Sequence, residues 1–435
     1  MSTAPHRPAA PVNTRHADLR SADGVPLVFA TVDHRSQASR VFGIRPADLL
    51  RHVYIIGKTG SGKSVLLENL AVGQIERGHG VGVIDPHGDL AERVLAAMPR
   101  RRKSDVVYVD PADPLSTAAI NLLEHRPDDN RALLASGVLA VFRKVFSEFW
   151  GPRLEHVFRN CILALLETRS PTLMGVLRML VEERYRESVV RLVTDPVVRF
   201  FWTEEFPRYP ASFVAEMVSP VQNKVAAVLT DATLRRILDR PRSTFSCAKI
   251  VDRGGILIAN LSKGRLGDTA SALLGAILVS KFQQAAYARA SVPTETRRPF
   301  TLYVDEFPGF VTQSFGELMA EARKYGLGLV LAHQHLGQID DGLRRAVLGN
   351  AGTIIAFQLG AEDADVLGRE FKPELSEHDL ARLAQHQIAI RLCVDGVTSV
   401  PFTARALPPR PPAQASRHPV RSASSGNDSG RHARA

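Results

Sequence analysis

At 435 residues the chain is long enough for two or three domain-sized units around a large core. Apolar residues make up 45% and charged residues 23%, as in a folded water-soluble protein, and three scattered cysteines without a C-x-x-C exclude a disulfide framework or a cysteine metal site. The formal net charge is +10, to which Pro408–Ala435 contributes five Arg against one Asp, and this balance invites a polyanionic partner.

Residues 1–24 lack periodicity and read as a disordered arm; Met1–Val12 has no apolar core of the kind a signal peptide needs. Over residues 25–128 short apolar runs alternate with helical stretches. His52–Ile56, Val81–Asp85 and Val106–Asp110 have the pattern of buried strands, and a helix from Ser64 closes at Gly78 and Gly80. From 129 to 247 the strands vanish. Leu154, Val157, Phe158, Cys161, Ile162, Leu165 and Leu166 share one helical face, and the same spacing recurs through 172–195 and 213–238, so this stretch reads as an all-helical insertion. Strands return over 248–407, at Gly255–Leu261, Thr301–Asp305, Leu329–Gln334 and Thr353–Gln358, with helices over 267–290, 315–325 and 340–349. Residues 408–435 form a Pro/Ser-rich basic tail that reads as disordered. The longest uncharged stretch, Ala346–Ala361, contains Asn350, Thr353, Gln358 and glycines, so no transmembrane segment is expected and the protein reads as cytoplasmic. The fold class is α/β, a mainly parallel sheet covered by helices and interrupted by helical material.

Gly57-Lys58-Thr59-Gly60-Ser61-Gly62-Lys63-Ser64 fits G-x-x-x-x-G-K-[ST], follows a strand and opens a helix. Its glycines let backbone N–H groups turn toward phosphate oxygens at the positive end of the helix, so ATP is the expected ligand. Lys63 then reaches the β- and γ-phosphates and Ser64 takes Mg²⁺. The strand Leu302-Tyr-Val-Asp305-Glu306 ends in two acids at the carboxyl edge of the sheet. Asp305 is the second Mg²⁺ residue, and Glu306 the residue that activates water, which points to hydrolysis. Gln334 closes another strand and is placed to sense the γ-phosphate. His333 and His335 flank it and read as turn residues, since no third metal ligand stands near. Lys63 and Asp305 lie 242 residues apart, and the helical insertion accounts for the interval.

These stretches, together with Val83–Leu90, Trp150–Leu166, Glu321–Gln338 and Gly349–Asp365, resemble the HerA/FtsK superfamily of ring-forming DNA motors. Within it the chain looks most like the type IV secretion and conjugation coupling ATPases of the TraG/TraD kind, over about residues 40–407. The resemblance implies a RecA-like P-loop core with an inserted helical domain, a hexameric ring with ATP between neighbouring subunits, and DNA in the central channel. It implies that Arg323, in Arg323-Lys324-Tyr-Gly-Leu, reaches into the neighbour's ATP site, that Gln334 is the sensor glutamine, and that Asp85 is an acid near the nucleotide. Read from the residues alone, Arg323 could equally pair with Glu321, and Asp85 could simply end its strand. Membrane-bound members begin with transmembrane helices, so a chain without one is expected to work through a membrane-channel or relaxosome partner, peripheral at the membrane. Arg153, Arg159, Lys224, Arg344 and Arg345 are candidate contacts to the DNA backbone, and Arg100–Lys103 reads as a solvated loop. Two other readings stay open: a ring that moves polypeptide, and a nucleotide-gated adaptor that recruits a nucleoprotein to a membrane channel.

Overall fold

The computed structural model describes residues 24–32, 40–126, 129–148, 150–312 and 314–410. The arm expected over 1–24 and the tail expected over 408–435 fall outside these residues, apart from residue 24 and residues 408–410. The described start of the tail is packed: Asn69 Nδ2 donates to the Pro408 carbonyl at 3.1 Å, and Arg410 pairs with Glu76.

In chain order the strands are β1 (Leu27–Val32), β2 (Val41–Ile44), β3 (Val53–Ile56), β4 (Gly80–Asp85), β5 (Val106–Val109), β6 (Ile256–Asn260), β7 (Phe300–Val304), β8 (Leu327–His333), β9 (Thr353–Ala356), β10 (Gln387–Arg391), β11 (Cys393–Val394), β12 (Val397–Thr398) and β13 (Phe402–Ala406). Eleven of them form one sheet in the order β2-β1-β13-β10-β9-β3-β8-β7-β4-β6-β5, and β11 and β12 form a separate hairpin. From β9 to β5 every pairing is parallel. From β9 outward through β10, β13, β1 and β2 every pairing is antiparallel. The parallel part holds the strands expected from the sequence. The antiparallel flank was not anticipated.

Alternate residues of a strand face opposite sides of a sheet, and β3 shows this. Val53 and Ile55 join a core built with helices Lys63–Glu76 and Asp89–Ala96, whereas Tyr54 and Ile56 face a larger core on the other side. That second core includes helices Asp268–Tyr287 and Phe315–Glu321. Every regular element described between β5 and β6 is helical. The face of helix Pro152–Leu165 formed by Leu154, Val157, Phe158, Cys161, Ile162 and Leu165 is buried, and its core is continuous with that of the second sheet face. The helical stretch is therefore welded to the sheet by apolar contact as well as by its two chain connections.

In a parallel sheet the strand C-termini share one edge, where ligands of such folds bind. Here β3, β4, β7 and β8 all present their ends at that edge, and β8 stands between β3 and β7. This is the RecA-like arrangement, with one strand between the P-loop strand and the acidic strand. None of the helices among the described residues is long and apolar enough to cross a membrane.

Candidate nucleotide-hydrolysis site

The P-loop leaves β3 through Gly57, Gly60 and Gly62, with φ of 156°, 76° and 118°. At Gly57 a side chain is barred by space, since its Cβ would lie 2.5 Å from Phe357 Cβ. Gly62 combines positive φ with a Cβ position 2.9 Å from His386 Nδ1. The loop is thus braced by the chain that follows β9 and by the turn before β10. Lys58 N also donates to the Gln358 carbonyl at 3.0 Å. Helix Lys63–Glu76 opens directly from the loop, so its free N–H groups point into the site.

Lys63 is buried and donates to the carbonyls of Gly57 at 2.6 Å and Lys58 at 3.0 Å. Burial lowers its pKa, and the charges of Asp305 and Glu306 oppose that shift. Ser64 Oγ donates to Asp305 Oδ2 at 3.1 Å. Asp305 is 2% exposed. Burial, then the nearby carboxylates of Asp85 and Glu306, push its carboxyl up to about 6, against the Ser64 hydrogen bond and His87. Such crowding of negative charge favours a bound cation. A hydroxyl and a carboxylate are hard oxygen ligands that suit Mg²⁺. Ser61 Oγ is buried in the loop without a hydrogen-bond partner among the described residues. A polar atom held in this way fits a loop built around phosphate oxygens. These residues fit Mg-nucleotide.

Glu306 follows Asp305 with φ +47°, a left-handed conformation that a non-glycine residue adopts at a cost of about 1 kcal/mol or more. In this turn Glu306 N donates to Asp305 Oδ1 at 3.1 Å, which keeps the two acids side by side just past β7. Gln334 is at the site as well: Thr59 Oγ1 of the P-loop donates to Gln334 Oε1 at 2.8 Å. Asp85 lies at the same edge, and its carboxylate is engaged by its own chain, accepting from His87 N at 2.8 Å and Ala91 N at 2.9 Å. It holds the start of helix Asp89–Ala96 and acts on Asp305 through charge.

Arg323 is elsewhere. It sits in the 3-10 turn Ala322–Tyr325 before β8, whereas Gln334 follows the end of β8. Seven strand residues span about 20 Å, so Arg323 occupies the edge of the sheet opposite its own P-loop. It is exposed and makes no ion pair among the described residues. The pairing with Glu321 that was open to it is taken by Lys324, at 2.9 Å.

The sequence matches the family described as the type IV secretion-system coupling protein DNA-binding domain over residues 42–365. The chain belongs to this coupling-protein family. No curated protein matches it. Among solved structures, the plasmid coupling protein TrwB in complex with ADP and Mg²⁺ is similar at 17% identity and TM-score 0.63, covering 90% of this chain and 96% of that one. TrwB with a non-hydrolysable ATP analogue gives 18% identity and TM-score 0.61 over 91% and 97%. VirB4 of Thermoanaerobacter pseudethanolicus gives 14% identity and TM-score 0.60 over 90% and 98%. At these identities the structures show a shared fold.

For this coupling-protein chain, two expectations need correction. His333 is no turn residue. It lies fully buried in β8, its Nε2 2.6 Å from the Tyr54 hydroxyl and its Nδ1 3.1 Å from Gln338 Oε1. Burial holds its pKa down to about 3, so it is neutral. His335 does lie in the turn and helps cap Leu336–Gln338. In the Arg100–Lys103 run, Arg100 and Arg101 are exposed as expected, but Arg102 is not solvated and the segment is not a loop. It forms a 3-10 helix in which buried Arg102 donates to Asp105 at 2.7 Å and to the carbonyls of Gly254 at 2.7 Å, His79 at 3.3 Å and Ile75 at 3.4 Å.

Of the candidate DNA contacts, Arg153 pairs with Glu216, Arg159 with Glu155 and Arg344 with Asp341. Half-buried Lys224 and exposed Arg345 make no ion pair among the described residues. The sequence reading missed Gln338 altogether. Its Nε2 donates to Glu306 Oε2 at 3.1 Å.

Proposed function

We propose that this chain is an ATP-hydrolysing ring motor that binds and translocates DNA in conjugative or type IV secretion transfer. Residues 25–128 and 248–407 form its motor and 129–247 its helical insert. One arrangement supports the reading: the P-loop, Asp305, Glu306 and Gln334 stand at one sheet edge, while Arg323, without an ion pair among the described residues, stands at the other. Lys63 and the P-loop amides hold the phosphates. Ser64 and Asp305 would hold Mg²⁺, which would supply positive charge beside the phosphates. Glu306 takes a proton from the attacking water, and Gln334 orients that water.

Arg323 serves the next subunit, because its own nucleotide is about 20 Å out of reach. A head-to-tail contact of this kind forms a ring when the rotation between subunits closes, and a hexamer fits the family resemblance. DNA would run along backbone contacts such as Lys224 and Arg345. A membrane-channel or relaxosome partner would hold the cytoplasmic ring at the membrane.

Steady-state ATP turnover, with and without single- and double-stranded DNA across a salt series, tests the reading. DNA should stimulate turnover, and the stimulation should fall steeply with salt as phosphate contacts are lost. An ATPase indifferent to both forms of DNA would point to a polypeptide cargo and remove the DNA reading. Tight ATP binding with negligible turnover in every condition would instead favour the adaptor.

A further inference from the structure

We infer that Gln338 is a positioning residue for Glu306, tying the water-activating carboxylate to the sensor turn and, through His333, to the P-loop strand. The inference rests on the reading of Glu306 given above.

Gln338 ends the 3-10 turn Leu336–Gln338 just past β8. Its two amide atoms do different things. Oε1 accepts from Gln334 N at 3.1 Å and His335 N at 3.3 Å, and it lies 3.1 Å from His333 Nδ1. Nε2 donates to Glu306 Oε2 at 3.1 Å. The two backbone N–H groups can only donate, so the oxygen must face the turn and the nitrogen must face Glu306. The same logic fixes the histidine. His333 Nδ1 carries the proton that Gln338 Oε1 accepts, and His333 Nε2 accepts from the Tyr54 hydroxyl at 2.6 Å. His333 is further packed against Phe307, with ring centroids 5.0 Å apart.

A continuous line of hydrogen bonds thus runs Tyr54, His333, Gln338, Glu306. It begins inside the P-loop strand, crosses β8 and ends on the carboxylate that activates water. Gln334 joins the line through its backbone N–H, while its side chain touches Thr59 of the P-loop. A carboxylate on a strained left-handed residue needs such an anchor, because its backbone alone does not fix where the oxygens point. Displacing the Gln334 turn displaces Gln338, and with it the carboxylate. The Gln338 side chain therefore makes proton abstraction depend on the position of the residue that senses the γ-phosphate.

The test uses a substitution that separates the two halves of the amide. Gln338→Glu keeps an oxygen for the three turn contacts and replaces only the donor to Glu306 with a second carboxylate oxygen. In the full-length protein, assayed at a pH where both carboxylates are ionised, this variant should keep its KM for ATP within about twofold, and the like-charge contact with Glu306 should lower its melting temperature modestly. Its kcat should fall about tenfold or more, as misplacement of a reacting group requires. Gln338→Ala should show the same kcat loss and also lose stability.

Gln338→Glu with wild-type kcat would overturn the inference and leave Gln338 as a turn cap only. So would a loss confined to KM. Glu306→Gln, measured alongside, keeps the two questions apart: if that variant turns over ATP, the reading of Glu306 is what fails.

Discussion

Ser64 Oγ lies 3.1 Å from Asp305 Oδ2, although the two residues are 241 positions apart in the chain. One is fixed by the first turn of the P-loop helix and the other by the end of β7, and β8 separates the two strands concerned. The contact therefore depends on the whole parallel sheet being in register.

That pair predicts a metal phenotype. Ser64→Ala should leave metal-free nucleotide binding close to wild type while weakening the response to Mg²⁺. The Mg²⁺ concentration for half-maximal turnover should rise by at least the 10–100-fold or so that even outer-shell ligand partners are worth. A Mg²⁺ titration of ATP turnover with an unshifted midpoint would take Ser64 out of the metal site.

The position of Arg323 predicts complementation between subunits. Alone, Arg323→Ala should bind ATP and lose about 10³-fold or more in turnover, as loss of an arginine finger does. Lys63→Ala should fail to bind ATP. Mixing the two proteins creates interfaces in which an intact P-loop meets an intact arginine from a neighbour, so the mixture should turn over ATP faster than either variant alone. An in-cis arginine predicts no gain on mixing.

Much of this site was legible in the sequence because its residues sit where strand patterns stop. The apolar runs before Gly57, Asp305 and Gln334 form β3, β7 and β8, and the polar residues that end them share one edge. The antiparallel flank was not legible. β1, β2, β10 and β13 are short strands set among irregular chain, and two of them pair across more than 300 residues: Ala30 opposes Ala406. Gln338 escaped because a three-residue turn has no periodicity. His333 was misread because its role comes from burial and from Tyr54 on another strand, neither of which a local motif reports.

Arg102 shows how a basic run can mislead, and it predicts a separation of stability from binding. Its guanidinium satisfies three backbone carbonyls and Asp105. Arg102→Ala leaves these acceptors without their donor and should destabilise the protein by about 3 kcal/mol. Denaturant unfolding measures this. The slope of DNA affinity against salt should not change, because Arg102 is buried and neutralises no phosphate. A shallower salt slope in the variant would show that Arg102 neutralises a DNA phosphate.

His52 predicts a pH dependence. It immediately precedes β3 with φ +66° and is buried. Its Nδ1 accepts from Leu329 N at 3.1 Å, so Nε2 carries the proton and donates to the Met319 carbonyl at 2.8 Å. The ring ties the P-loop strand to the helix that leads into Arg323. Burial is the main cause that lowers its pKa from 6.5 to about 4, with the Arg323 charge acting in the same direction against the Met319 hydrogen bond. Between these values the unfolded chain binds a proton that the folded chain does not, so the stabilisation is whole above pH 6.5 and is lost as pH falls to about 4. Over the full window this amounts to about 3 kcal/mol. His52→Asn, chosen because asparagine tolerates positive φ, should be less stable at neutral pH for want of the two hydrogen bonds. Its unfolding free energy should nevertheless fall less steeply than wild type between pH 7 and 4.5. Parallel pH profiles for the two proteins would show that His52 does not enter the fold as a neutral ring.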